Sequence, residues 1–257
     1  MKIVVLVKEV PDTYQRRSLD LRTGLADRGA SEAVLDESSE RALEVALTHA
    51  DTHDVEIVAV CLGPQSAAGS ARKALAMGAH RVVHVVDEGL LGADVCLTAE
   101  ALAAAVRQDG FDLVITGSTA TDGSTGMVPA AVAELLDAAL LSGLSSVDIT
   151  ADGVAGTRPT DGQVQHLRAS FPAVVSITEA LPEGRFPNIK GIMAAKKKPL
   201  EQRSLADLGI EAGREDTARS IMISVAERPP KQAGTTIVDE GDAGERLAAF
   251  LLDRQLA

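Results

Sequence analysis

The chain has 257 residues, 46% of them hydrophobic, enough to bury a sizeable core as one domain plus an extension or as two domains. Only 2% are aromatic, with no Trp and one Tyr, so that core has to be built from Val, Leu, Ile and Ala. A formal net charge of −12 argues against nucleic acid or an anionic membrane as the partner.

Cys61 and Cys96 lie far apart and form no C-x-x-C, so they suggest neither a redox motif nor a zinc site. His49/His53 and His80/His84 have the spacing of helical ligand pairs. The first pair sits at a polar helix end, however, and the second reads as strand, so no metal is expected. The apolar run from Ile3 to Val7 is too short for a signal-peptide core, and no run approaches membrane-spanning length. A cytoplasmic protein without membrane insertion is the expectation.

Residues 3–7 are apolar without alternation, as in a strand buried on both faces of a parallel sheet. Residues 8–14 then read as a polar loop at the carboxyl edge, where open α/β sheets place their ligands. Residues 18–29 are polar and irregular, with a small hairpin around Thr23-Gly24. Asp36-Glu37-Ser38-Ser39 carries helix-start chemistry: acids for the positive end of the dipole and hydroxyls able to cap. Ala42, Val45, Ala46 and Leu47 give that helix an apolar face.

Strands follow at 55–62, 81–86 and 113–116, alternating with helices at 66–77, from Asp94 to 108, and at 125–136. Gly78 and Gly110 stop two of these helices, and Pro129 is tolerated in the first turn of the last. The economical architecture is a doubly wound, three-layer α/β/α domain on a mostly parallel sheet. After Leu140 the texture changes. Residues 145–167 read as a small β-meander with turns at Ala151-Asp152-Gly153 and Thr160-Asp161-Gly162. Residues 171–178 then return to the main sheet.

Between the strand at 113–116 and the helix at 125–136, residues 117–126 read Gly-Ser-Thr-Ala-Thr-Asp-Gly-Ser-Thr-Gly. Small residues let a ligand approach the backbone. The N–H groups and dipole of the following helix favour a phosphate, and Ser124 and Thr125 can donate hydroxyl bonds. The loop has neither a G-x-G-x-x-G fingerprint nor a GK[ST]. No Ser/His/Asp or Cys/His constellation stands beside it, so no catalytic residue is expected. The pattern suits a carrier in which a cofactor performs the chemistry.

Residues 181–191 hold Pro182, Gly184, Pro187 and Gly191, which exclude a long helix or strand. Phe186, Ile189, Ile192 and Met193 nevertheless make the stretch apolar, as a loop meeting another molecule would be. Lys196-Lys197-Lys198 reads as a solvated edge. From residue 201 no segment buries much by itself. Residues 205–208 offer one or two helical turns, 221–225 a possible strand, and 242–256 an amphipathic helix with Leu247, Phe250 and Leu251 on one face. A division at residue 200 follows, with 201–257 as an arm. The sequence alone favours docking of that arm on its own main domain.

Phe171-Pro172-Ala173-Val174-Val175, Glu183, Arg185-Phe186 and Gly191-Ile192-Met193-Ala194-Ala195-Lys196-Lys197-Lys198 together resemble the signature of the electron-transfer flavoprotein β-subunit. Val7-Lys8, Ala74 to Ala79 and the 117–126 loop extend the resemblance over most of the chain. It implies an adenine-nucleotide-binding type of fold and a heterodimer whose α-subunit holds most of an FAD. Electrons would pass from acyl-CoA or related dehydrogenases, as in fatty acid oxidation, to the respiratory chain through a quinone oxidoreductase.

The same resemblance implies a bound AMP. Its phosphate would meet the loop of Gly117, Ala120, Thr121, Asp122, Gly123, Ser124 and Thr125, and its adenosine Leu6 and Asp36, Glu37, Ser38 and Ser39. Two departures are visible: the loop is shorter than in many members, and Asp36-Glu37-Ser38 replaces their Asn-Pro-Phe. Arg185, Phe186, Ile189, Ile192 and Met193 would belong to a recognition loop, 181–198, that docks dehydrogenases, with Ile189 as its apolar anchor where many members carry Leu. Gly184 stands where most have Pro. The arm would reach the α-subunit. Tyr14 is the candidate to approach a flavin ring held by the partner.

Some relatives that bifurcate electrons place a second FAD in the AMP pocket. The stretch after the first strand here offers Pro11, Asp12 and Tyr14 but no pair of groups for a flavin ring, which favours AMP. Two rivals share the sheet topology. An ATP-using enzyme would need a Ser/Gly-rich pyrophosphate loop after the first strand. A nucleotide-sensing, stress-type module would leave the recognition stretch and arm unexplained.

Overall fold

The structure is a computed structural model that describes residues 1–211, 220, 222–231 and 233–256. One unit covers Met1–Ser224 and a second Val225–Ala257. In chain order the first carries β1 (Lys2–Val7), β2 (Glu9–Pro11), β3 (Ala33–Leu35), α1 (Glu37–Ala50), β4 (Glu56–Leu62) and α2 (Ala68–Met77). Next come β5 (Arg81–Val85), α3 (Val95–Asp109), β6 (Leu113–Gly117), α4 (Val128–Leu136) and β7 (Ala139–Leu144). The small strands β8 (Ser146–Ile149), β9 (Gly153–Thr160) and β10 (Gln163–Ser170) precede β11 (Ala173–Ile177), α5 (Ile189–Ala195) and β12 (Leu200–Arg203).

Seven strands form the main sheet in the order β12-β5-β4-β1-β6-β11-β7, and every pairing is parallel. Residue alternation sends each strand's side chains to two separate cores. Ile3, Val5 and Val7 of β1 pack with Leu43 and Ala46 of α1 and with Ala71 and Leu75 of α2. Val4 and Leu6 pack on the other side with Leu102 and Val106 of α3 and Val132 of α4. The expected three-layer α/β/α sandwich is therefore present, and both faces of its central strands are buried. The meander is present too, as the antiparallel sheet β10-β9-β8.

The helix starts follow local chemistry. Asp36 caps α1 by accepting from the Ser38 N–H at 2.9 Å, and Asp94 caps α3 by accepting from Leu97 at 2.9 Å. The hairpin around Gly24 closes through an antiparallel bridge between Leu19 and Ala26.

Several expectations change. Residues 9–11 are not a free polar loop but β2, paired antiparallel with β3, which buries Glu9, Val10 and Pro11. The division expected at residue 200 falls inside the first unit. Strand β12 adds to the sheet beside β5, and Leu205, Leu208 and Ile210 are buried in the α3/α4 core. Of the possible strand at 221–225, Met222 to Val225 form none, and Ile221 lies outside the described residues. Among its described residues the second unit carries one helix, α6 (Ala243–Asp253), in which no residue is buried and Leu247 and Leu252 are exposed.

The lysine triplet is more than a solvated edge. Lys198 Nζ donates to the carbonyls of Leu75, Gly78 and Ala79 at 3.2, 3.2 and 2.7 Å, capping the carboxyl end of α2 with a cation. Burial pushes the pKa of this ammonium below the usual lysine range. Lys198→Ala should lower stability in urea by about 1–2 kcal/mol, as expected for charge-assisted bonds that water partly replaces. Lys196→Ala and Lys197→Ala, at exposed positions, should each stay within about 0.5 kcal/mol of the parent chain. Equal midpoints for all three variants would show that Lys198 caps nothing of consequence.

Candidate functional site

Strand order reverses at β1. The chain moves from β1 to β4 and β5 on one side, then returns to place β6 on the other. Such a switch point opens a crevice outside the carboxyl ends of the strands. A cavity of about 540 Å³ lies there, within the range of small-ligand pockets. Leu6 to Lys8 at the carboxyl end of β1, Leu62 to Pro64 at that of β4, Asp87 and Leu90 after β5, and the loop after β6 all line it.

One wall is held from behind by Asp36, whose side chain is almost fully buried. Its Oδ1 accepts from the Ser38 N–H and hydroxyl, each at 2.9 Å. Its Oδ2 accepts from the Thr121 N–H at 2.8 Å and hydroxyl at 3.1 Å. The start of α1 and the loop after β6 are thus held by one carboxylate. The single Ser38 hydroxyl hydrogen is shared between Asp36 and the Thr119 carbonyl at 3.1 Å, and the Lys8 N–H donates to Ser39 Oγ at 3.2 Å. Gly117 fits because it lacks a side chain: a Cβ there would come within 2.3 Å of Ser38 Oγ.

Asp122 anchors the far end of the loop. Its carboxylate meets Lys8 Nζ at 2.7 Å and Arg28 Nη2 at 2.9 Å. Burial alone would raise its pKa, but the Lys8 ammonium and the Arg28 guanidinium outweigh burial and hold the carboxyl below the usual range. Arg17 adds a bond from Nη1 to the Thr121 carbonyl at 2.8 Å. Beyond Asp122, Ser124 and Gly126 take positive φ values of 51° and 65°, turning the backbone toward α4, whose first turn has no side-chain cap. Uncapped N–H groups at a helix start, beside small residues and a cavity, suit an anionic group.

Of the residues expected at an adenylate, Leu6, Ser38, Ser39, Gly117, Ala120, Gly123, Ser124 and Thr125 line the cavity. Asp36, Thr121 and Asp122 stand behind this lining as its supports, and Glu37 lies in the first turn of α1. The sequence reading missed Lys8, Arg28 and the apolar wall of Leu62, Leu90, Leu91 and Leu102. Position at the carboxyl edge could have flagged Lys8; nothing local marks Arg28. Tyr14 is 89% exposed and lies outside the lining.

The histidine pairs resolve structurally. His49 and His53 stack with centroids 4.2 Å apart, and His80 Nδ1 accepts from the Ile57 N–H at 3.0 Å. His84 is buried, with neither ring nitrogen in a hydrogen bond, and burial pushes its pKa down. Among the described residues no group of three or more His, Cys, Asp or Glu could hold a metal. Burial pushes the Cys61 thiol up to about 12, which leaves it protonated and unreactive.

At the second expected site, Phe186 and Ile189 are 91% and 82% exposed. Ile192 and Met193 stand partly exposed on the short helix α5, where a loop was expected. Arg185 does not join them: it turns back onto α1 through Glu44 and Asp51.

The electron transfer flavoprotein domain family matches residues 23–208. The chain belongs to this family. It is 41% identical to the electron transfer flavoprotein subunit beta of Mycobacterium leprae (strain TN), over 99% of this chain and 98% of that one. It is 30% identical to the subunit beta of Bacillus subtilis (strain 168), over 96% and 94% of the two chains. Protein FixA of Azorhizobium caulinodans is 32% identical over 82% of this chain and 78% of its own. The chain is thus an electron-transfer subunit. Among the described residues no helix is long and apolar enough to cross a membrane.

Asp122 offers a direct test of the loop's support. Its folded pKa is depressed, so its stabilisation is present above the unfolded value of 3.8 and fades as pH falls through the folded value. Asp122→Asn should lower stability at pH 7 by about 1–2 kcal/mol, since both cations are partly solvated. The gap from the parent chain should close below pH 3.8. A gap that persists unchanged in acid would show that the ion pairs are not its source.

Proposed function

We propose that this chain is the β-subunit of a heterodimer that carries electrons from acyl-CoA or related dehydrogenases to a quinone oxidoreductase, in the cytoplasm. FAD, held mainly by the α-subunit, supplies the redox chemistry, and the cavity of this chain holds AMP. The β-subunit orders the complex and presents its docking surface. The observation that carries this reading is the cavity at the switch point, walled by Leu6, Ser38, Ser39 and the 117–126 loop, with the uncapped start of α4 open to a phosphate. Both cations that line the cavity, Lys8 and Arg28, are spent on Asp122, so no cation of the lining is left to clamp a second phosphate. That favours AMP over a dinucleotide. The rival ATP-using enzyme loses its footing, because the stretch after β1 is strand β2 and not a Ser/Gly loop.

AMP carries no electrons; its effect is to stabilise the folded state that binds it. Denaturing the purified heterodimer and separating its nucleotides by chromatography tests the assignment. One FAD with one AMP is expected, and two FAD per heterodimer would overturn it. Gly117→Ala, which drives a methyl group into Ser38 Oγ, should release AMP while FAD is retained.

The exposed Ile189 is the docking anchor in this reading. An apolar anchor in a partner pocket contributes about 2 kcal/mol, so Ile189→Ala should raise half-saturation by dehydrogenase about thirtyfold with an unchanged flavin spectrum. An unchanged half-saturation would remove Ile189 from the mechanism.

A further inference from the structure

Two large apolar side chains, Phe186 and Ile189, stand almost wholly in water at the crest of residues 181–198. A chain free to choose would fold such side chains down onto its own surface, since taking apolar area out of water is favourable. Here the backbone beneath them is held fast. Leading into the crest, Arg41 Nη1 donates to the Leu181 carbonyl at 2.5 Å. Gly184 lies so close to α1 that a Cβ would come within 2.8 Å of the Glu40 side chain and 3.1 Å of its carbonyl oxygen. Leading out, Asn188 Oδ1 caps α5 by accepting from the Gly191 N–H at 2.8 Å. Gly191 in turn lies against the Ala76 carbonyl of α2, which a Cβ would meet at 2.5 Å.

Between these anchors sits Arg185. Its backbone N–H donates to Glu44 Oε2 at 2.9 Å, and its Nε and Nη2 reach the same carboxylate at 2.9 Å each. Nη1 and Nη2 also donate to the two oxygens of Asp51 at 3.2 and 2.9 Å. One guanidinium therefore meets two carboxylates in paired fashion, one within α1 and one at its C-cap. Fork-on-fork geometry of this kind fixes direction as well as distance, which a lysine cannot do. The residue carrying it immediately precedes Phe186.

We infer that Arg185 is a positioning residue for partner docking: its double ion pair with Glu44 and Asp51 locks the crest, presenting Phe186 and Ile189 to a dehydrogenase already in their bound arrangement. The guanidinium does not itself touch the partner. This inference rests on the docking role proposed above. Its physical basis is preorganisation, since a crest ordered in the free protein need not be ordered on binding.

The test uses the intact heterodimer, with half-saturation in dehydrogenase-coupled reduction and amide hydrogen exchange over residues 186–193 as readouts. Arg185→Met should raise half-saturation about tenfold, with the maximal rate and flavin spectrum held and exchange at the crest accelerated. The pair Glu44→Gln/Asp51→Asn, which leaves the arginine in place, should do the same. Combining Arg185→Met with Phe186→Ala/Ile189→Ala should be no worse than Phe186→Ala/Ile189→Ala alone, because the lock acts through those two anchors. If the Glu44/Asp51 pair leaves half-saturation unchanged while Arg185→Met raises it, or if the combined variant is additive, Arg185 contacts the partner directly and the inference is wrong. Unchanged exchange in both variants would also sink it. Should Ile189→Ala itself have no effect, the docking role fails, and the lock falls with it as a docking device whatever the exchange shows.

Discussion

One buried carboxylate holds the site together. Asp36 accepts from the N–H and hydroxyl of Ser38 with one oxygen and from those of Thr121 with the other. A buried carboxylate without partners would be costly, so its place between α1 and the β6 loop is tolerable only while both stay where they are. The constraint runs in both directions. The cap that starts α1 also sets the approach of Ser38 to Gly117, and with it the width of the crevice. Lys8 and Arg28 repeat the device at the other end of the loop through Asp122. The cavity is thus shaped before any ligand arrives, by charges that face away from it or are already paired.

This arrangement explains why the site looks unlike an active site. Its lining is small, apolar or hydroxyl-bearing apart from Lys8 and Arg28, which are paired with Asp122, and Asp87, which accepts from the Gly89 and Leu205 N–H groups. The thiol nearest the carboxyl edge, Cys61, is buried and protonated, and His84 beside it in the sheet is buried without hydrogen bonds. A carrier requires position and shielding of its cofactors, and these are what rigid packing and paired charges provide.

Much of the fold was legible because its signals are local. The continuous apolar run of β1, the Asp36 and Asp94 caps and the D-G turns of the meander each announce themselves within a few residues. Strands β7 and β12 do not. The first is interrupted by Ser142-Gly143, and the second, Leu-Glu-Gln-Arg, is an edge strand whose exposed positions are polar. The lining of the loop was readable from its small residues, but its supports were not. Lys8 and Arg28 lie 114 and 94 positions from Asp122 in the chain, and no spacing rule connects them. Arg185 shows the converse difficulty: its neighbours in sequence point outward, and only the fold reveals that it points inward.

The path of residues 178–199 carries one more meaning. The segment leaves β11 and returns to the sheet at β12, and four strands, β6, β1, β4 and β5, lie between those two. At about 4.8 Å per strand spacing, it is stretched over roughly 24 Å of sheet width. It is therefore a strap fastened at both buckles, not a flap hinged at one. The crest can loosen or tighten, but it has no free end about which to swing. The distance of this crest from the switch-point crevice is set by the sheet itself.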